Sequence, residues 1–278
     1  MAGMRIRWRP LASLLLAGLI FALAQAQIQR VKRSQVNAEI MISLPAFVQV
    51  VLAGGDRYLA ADWASIRALV TETSRMGPED FRVLAEVQRD ASWLNPAHED
   101  NYYIAAAILP WEGQVDAAQA ILRRATLARP FDVNPPFYYA FHLVQFFGDG
   151  LGAANWLRQA ATKLPDPQQG LVLETFAVRW LDRSQDIELA ARIADDMAAR
   201  TKRKDFATYL HLRATRLRDL AALRSAASIY RERHGRPVKA LSELVESGLV
   251  KSLPADPIGS GFAVDPNGTP IFADRRRK

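Results

Sequence analysis

Apolar positions in the middle of the chain recur at helical spacing, and the pattern itself repeats. Tyr102, Ala105, Ala106 and Leu109 mark one helix face, Gly113 a turn, Ala118, Leu122 and Ala125 a second face, and Pro130 its end. Phe137, Ala140, Phe141, Val144, Gly148, Ala153, Leu157, Ala160 and Pro165 repeat the series, each displaced by 35 residues. The unit is thus a helix pair closed by a short turn. Ala118 and Ala153 stand where two antiparallel backbones must approach, a place for small side chains. Gly113 and Gly148 permit the turn. Pro130 and Pro165 stop the second helix, because proline lacks an N–H and restricts its predecessor.

The repeat weakens at both ends. An earlier unit over 65–96 keeps Ala91, Leu94, Asn95 and Pro96 but has Gln88 at a bulky position. A later one after Gln168 keeps Ala177, Leu181, Ala190 and Ala194. Ahead of them Leu52, Leu59, Trp63, Ile66 and Val70 share a helical spacing, which predicts a further amphipathic helix. Behind them 205–233 reads as one long helix. Phe206, Leu210, Leu217, Leu220, Leu223 and Tyr230 form its apolar face. Arg213, Arg216 and Arg218 form a face expected to be solvated or paired with Asp219 and its neighbours. A helix over 238–247 follows, entered through Pro237 and closed by Gly248.

The tail changes character. Two apolar pieces, 261–264 and 269–272, flank Asp265-Pro266-Asn267-Gly268, which predicts a small β-hairpin. Such a hairpin is marginal alone. Its apolar face is expected to dock on Leu223, Ile229, Tyr230, Leu241 and Leu244, capping the open end of the helical stack.

The N-terminal end is apolar in another way. Residues 10–29 carry no charge, and Leu11 to Ala24 is broken only by Ser13 and Gly18. About twenty helical residues span roughly 30 Å, the depth of a bilayer core. Arg5, Arg7 and Arg9 precede the run, as for a start kept in the cytoplasm. The expectation is an uncleaved single-pass anchor in a bacterial inner membrane with the remainder in the periplasm. Ala24-Gln25-Ala26 also fits signal-peptidase cleavage after Ala26, which leaves a periplasmic alternative. Arg30, Lys32 and Arg33 weaken the charge bias and keep the inverted orientation open. The chain then divides into 1–29 (anchor or signal), 30–64 (juxtamembrane and capping helices), 65–200 (repeats), 201–248 (C-terminal helices) and 249–278 (tail).

Composition narrows the function classes. Half of the 278 residues are apolar and 23% are charged, ordinary for a folded protein. With no cysteine, disulfides, thiolate metal sites and thiol nucleophiles are excluded. The net charge of +7 is matched by Arg5, Arg7 and Arg9 with Arg275, Arg276, Arg277 and Lys278. The middle is near neutral, which argues against nucleic acid as a partner. His98, His142, His211 and His234 lack metal-ligand spacing, and neither a phosphate loop nor a nucleophile elbow occurs. No catalytic residue, metal or cofactor is expected. Asp56 and Asp62 are read as exposed or capping carboxylates.

The repeated series resembles the tetratricopeptide repeat, with its aromatic, small residues, alanine, bulky apolar residue and proline over 34 positions. Phe141 departs from it, standing at a usually small position. Leu44-Pro45 with Leu59, Ala61, Asp62 and Trp63 is similar to a group of bacterial membrane-anchored repeat proteins. Residues 237–272, with Leu253-Pro254-Ala255-Asp256-Pro257-Ile258-Gly259, are similar to the C-terminal part of type II secretion pseudopilins, some of which hold calcium in that loop. Turn capping is preferred here for Asp256 and Asp265.

The resemblance implies an all-α solenoid of antiparallel helix pairs with an N-terminal transmembrane helix and a small C-terminal β-hairpin. It implies a concave groove lined by the first helix of each pair, carrying Tyr103, Ala107 and Trp111, then Tyr138, His142, Gln145 and Phe146. Some of these aromatics have core packing as their alternative. The Lys and Asn pair that clamps a C-terminal carboxylate is missing. The function so implied is a non-enzymatic scaffold or adaptor in the cell envelope. Its partners would be other envelope proteins or peptides, with membrane attachment through residues 10–29. The alternative is a structural or assembly subunit of a pilus or secretion machine.

Overall fold

Helix follows helix from Ala46 to Glu246, and the breaks fall where the sequence supplies caps and prolines. The computed structural model describes residues 16–23, 43–259 and 261–273. Residues 1–41 and 42–278 form separate units. In the first, residues 16–23 are helical. Among the described residues no helix is long and apolar enough to cross a membrane. Most of the expected span over 10–29 lies outside them.

The second unit is mostly helical. Its order is α1 (Ala46–Leu52), α2 (Arg57–Val70), α3 (Pro78–Leu94), α4 (Glu99–Ile108), α5 (Val115–Ala128), α6 (Asn134–Phe147), α7 (Gly150–Ala161), α8 (Pro167–Leu181), α9 (Ile187–Arg200), α10 (Lys204–His234) and α11 (Ser242–Glu246). Strands β1 (Phe262–Val264) and β2 (Pro270–Phe272) close the chain as an antiparallel pair, with Phe262 opposite Phe272. Asp56, Asp149, Asp166 and Asp186 cap α2, α7, α8 and α9 by accepting backbone N–H bonds. Each such cap contributes about 0.5–2 kcal/mol. Gly148 ends α6 at φ 66° and Gly113 turns the chain after α4 at φ 75°, conformations other residues resist.

Successive helices pack on one another. α2 meets α3, α5 meets α4 and α6, α7 meets α6 and α8, and α9 meets α8 and α10. The repeated small residues stand at these contacts: Ala105, Ala118, Ala140 and Ala153 are fully buried, as are Leu122 and Leu157 between them. The degenerate unit behaves alike, with Ala177, Leu181, Ala190 and Ala194 fully buried. Gly150 lies close against the backbone of its neighbour. A Cβ there would lie 2.5 Å from the Trp180 carbonyl oxygen at the end of α8.

Several expectations change. The boundary placed between 64 and 65 falls inside α2, so that division does not separate structural elements. The helix expected over 238–247 shrinks to α11. Residues 239–241 form bends and a turn, and the Glu243 carboxylate accepts the Lys239 N–H. In α2 the large residues Leu59, Trp63, Ile66 and Val70 face outward, while Ala60, Ala61, Ala64, Ser65 and Ala68 face the core. Spacing identified an amphipathic helix, though Leu52 falls on α1, and the small residues on the other side let α2 approach its neighbours closely.

On the arginine face of α10, Arg213 and Arg216 are largely buried in ion pairs while Arg218 stays half-exposed. Arg213 and Arg216 both donate to Asp182 at the end of α8. Arg216 donates from Nε to Asp256 at 2.9 Å, and its guanidinium lies 3.8 Å from the Phe272 ring centroid. Asp256 accepts in turn from the N–H groups of Ile258, Gly259 and Gly261. Arg218 pairs with Asp195 rather than with Asp219. The hairpin rests beside this network. Phe262 and Val264 pack on Leu223, Tyr230, Leu241 and Leu244, as expected, and on Val238 as well. Ile229 is exposed and takes no part in that cluster.

Candidate functional site

The first helices α4, α6 and α8 bring aromatic side chains into contact from one pair to the next. Tyr102 stacks on Tyr103 at 4.8 Å, and Tyr103 meets Tyr138 edge-on at 5.7 Å. Tyr138 touches Phe137, and Phe137 meets Phe176 at 4.9 Å and Trp180 at 5.7 Å. Tyr102 is buried, while the other five are half-buried. Edge-to-face contacts of this kind add about 0.5–1.5 kcal/mol each beyond the area they bury. Burial first, and then Tyr103 beside it, pushes the Tyr138 phenol above its ordinary pKa, so it stays a neutral hydroxyl.

The base of this row is fixed by charge. The Tyr102 hydroxyl donates to Asp132 at 2.8 Å, and Arg129 donates from Nε to the same carboxylate at 2.8 Å. Arg129 also reaches Glu99 at the start of α4. Burial works to raise the Asp132 carboxyl. The Asn134 N–H, Tyr102 and Arg129 outweigh it and hold the group below the usual carboxylate range. One side-chain network thus ties the start of α4, the end of α5 and the start of α6.

A second aromatic group stands at the other end of these helices. Trp111, on the turn after α4, meets Phe146 edge-on at 5.0 Å and is 57% exposed. It lines a cleft of about 570 Å³ with Thr73, Ser74, Met76, Phe81, Ala107, Ile108 and Glu112. Phe146 meets His142 at 5.6 Å.

Comparison with protein families, with curated proteins and with solved structures finds no match.

The expected groove residues therefore sort by geometry alone. Tyr103 and Tyr138 are together, and Trp111 and Phe146 are together. Gln145 and Ala107 are exposed. His142 requires a correction, because it is 1% exposed and cannot face a partner. Burial lowers its pKa to about 4 against the opposing pull of a hydrogen bond with the Ala106 backbone. It is a neutral core group between Phe141 and Phe146. Phe137, Phe176 and Trp180 were not among the expected site residues. The signal for the last two was present, an aromatic pair at i, i+4 on one helix.

Among the described residues no group of three or more His, Asp or Glu is placed to hold a metal ion. Asp56 caps α2, and Asp62 pairs with His98 at 3.2 Å. Asp265 accepts from the N–H groups of Asn267 and Thr269 and closes the hairpin turn. What the site offers is aromatic surface beside an open cleft whose lining includes Thr73, Ser74 and Glu112 as well as apolar side chains.

Proposed function

We propose that this protein is a membrane-anchored, non-enzymatic scaffold of the bacterial cell envelope that holds protein or peptide segments on a tetratricopeptide-like face. The observation that carries the reading is Trp111, largely exposed beside an open cleft and braced edge-on by Phe146. A large aromatic ring held in place before binding loses little entropy on contact, which is why such residues dominate binding energy. The half-buried row from Tyr103 to Trp180 extends this face across three helix pairs. Membrane attachment rests on the uncharged run over 10–29.

The reading is tested by Trp111→Ala combined with Tyr138→Ala. The double variant is expected to lose capture of envelope partners while helicity by circular dichroism is retained. Loss of helicity would assign these residues to the core instead. Crosslinking in cells with mass spectrometry separates an adaptor, with a changing set of clients, from a subunit of a fixed-ratio machine. The machine reading draws on the pseudopilin-like tail, whose apolar side chains pack on the chain's own helices.

A further inference from the structure

The outward face of α2 is the least explained surface of the molecule. Tyr58, Leu59, Trp63, Ile66, Leu69 and Val70 are all exposed on it, Leu69 and Val70 by more than 60%. At 100° per residue these positions fall in one stripe along the helix. Asp62 lies within the stripe, and its carboxylate meets the His98 ring at 3.2 Å. The inward face holds only alanine and serine. The helix thus carries its large apolar residues on the side that the described residues of 43–273 leave uncovered. The neighbouring α1 repeats the arrangement: Phe47, Val51 and Leu52 are exposed, and none of its residues is buried. A folded chain in water does not keep so many large apolar residues together on one element without a partner.

We propose that the outward faces of α1 and α2 lie on a lipid bilayer, with their side chains in its interfacial layer. Three observations select lipid over a second copy or a protein. The face belongs to the first described helices after the uncharged run over 10–29. Residues 30–45, even fully extended, keep its start within about 55 Å of that run. The connecting stretch carries Arg30, Lys32 and Arg33, which anionic lipid headgroups attract. Finally, the stripe mixes aliphatic residues with Trp63 and Tyr58, whose rings are apolar with a polar tip and favour the boundary between headgroups and acyl chains. The proposal rests on the membrane attachment put forward above. It adds that the helical stack is laid against the bilayer, so that the α4–α6–α8 face takes a fixed orientation to the surface.

The chain has no cysteine, so single probes are clean. Ile66→Cys and Leu69→Cys sit on the stripe, and Leu127→Cys is an exposed control on α5. Each full-length variant is spin-labelled and reconstituted with vesicles of phosphatidylethanolamine and phosphatidylglycerol. Flotation is measured first, then relaxation by oxygen against a water-soluble nickel chelate. The expected result is flotation, with an oxygen-to-nickel ratio at 66 and 69 severalfold above that at 127. Flotation with equal ratios at all three sites overturns the docking and leaves the anchor standing. Failure to float overturns both. Mutual broadening of the labels at 66 and 69, undiminished by excess unlabelled lipid, assigns the face to a second copy and overturns the lipid proposal.

Discussion

Arg216 and Asp256 stand 40 residues apart in sequence and meet at 2.9 Å. Their side chains are 8% and 1% exposed, so the contact is buried under the tail it fastens. Gly259 completes it: a Cβ there would lie 2.0 Å from the Asp256 carboxylate. Further along the tail, Arg224 and Arg231 donate to the carbonyls of Pro270 and Asn267. The hairpin is thus held by charge as well as by Phe262 and Val264.

Asp256→Ala removes one partner of a buried pair and three N–H acceptor bonds. It is expected to cost about 3–5 kcal/mol of unfolding free energy, measured by urea titration. Arg216→Met with Asp256→Leu is expected to cost less than the single change, because no buried charge is left uncompensated. Burial pushes the Asp256 carboxyl up, but Arg216 and the backbone donors outweigh it and depress its pKa. The fastening is therefore complete at neutral pH and is lost as pH falls through that depressed value.

Truncation after Pro254 is expected to lower the melting temperature or cause association, since it uncovers the cluster of Leu223, Tyr230, Val238 and Leu244. Removal of the last four residues is expected to do neither. A truncated chain as stable and as monomeric as the full one would show that the hairpin covers nothing that matters.

His142 gives the fold a pH dependence of its own. Its folded pKa of about 4 lies below the ordinary 6.5, so the unfolded chain binds a proton between those values while the folded chain does not. Stability from this group is full above 6.5 and declines as pH falls toward 4, by about 3 kcal/mol at the limit. Denaturant titrations at pH 7.5 and 4.5 should show a smaller loss for His142→Leu than for the native chain. Equal losses would place the proton elsewhere.

Gly150 is expected to tolerate no side chain. Gly150→Ala must displace α7 from the Trp180 carbonyl and the backbone at Arg183 and Ser184. A loss of about 1–3 kcal/mol follows, the usual cost of forced overpacking. Gly113→Ala, at φ 75° with open space around it, would lose stability through backbone strain alone, by about 1 kcal/mol. Thermal melts of the two variants separate crowding from strain.

How much of this was written in the sequence depends on which interactions are local. The displacement of 35 from Tyr102 to Phe137 and from Ala118 to Ala153 reports helix pairs, because spacing and turn chemistry act within a few residues. The tail turn was legible for the same reason, since Asp265 satisfies N–H groups next to it in the chain. For Arg216 pairing was one of the two expectations, but its partners were not legible, because Asp182 and Asp256 are 34 and 40 residues away. His142 shares a helix with exposed Gln145, and only packing by Phe141 and Phe146 decides which of them turns inward. The outward face of α2 was hidden more deeply. Apolar spacing marks a stripe that avoids water but cannot say whether protein or another medium covers it.

Trp111 offers the most direct test of the scaffold reading. A photo-crosslinking amino acid placed at 111 in the full-length chain, and in parallel at 127, is activated in living cells, and the adducts are identified by mass spectrometry. The account predicts several envelope proteins attached at 111, few at 127, and a loss of the adducts at 111 when Tyr138→Ala is added to a chain that keeps its helicity. Equal adducts at both positions, none at 111, or adducts at 111 unaffected by Tyr138→Ala would contradict it.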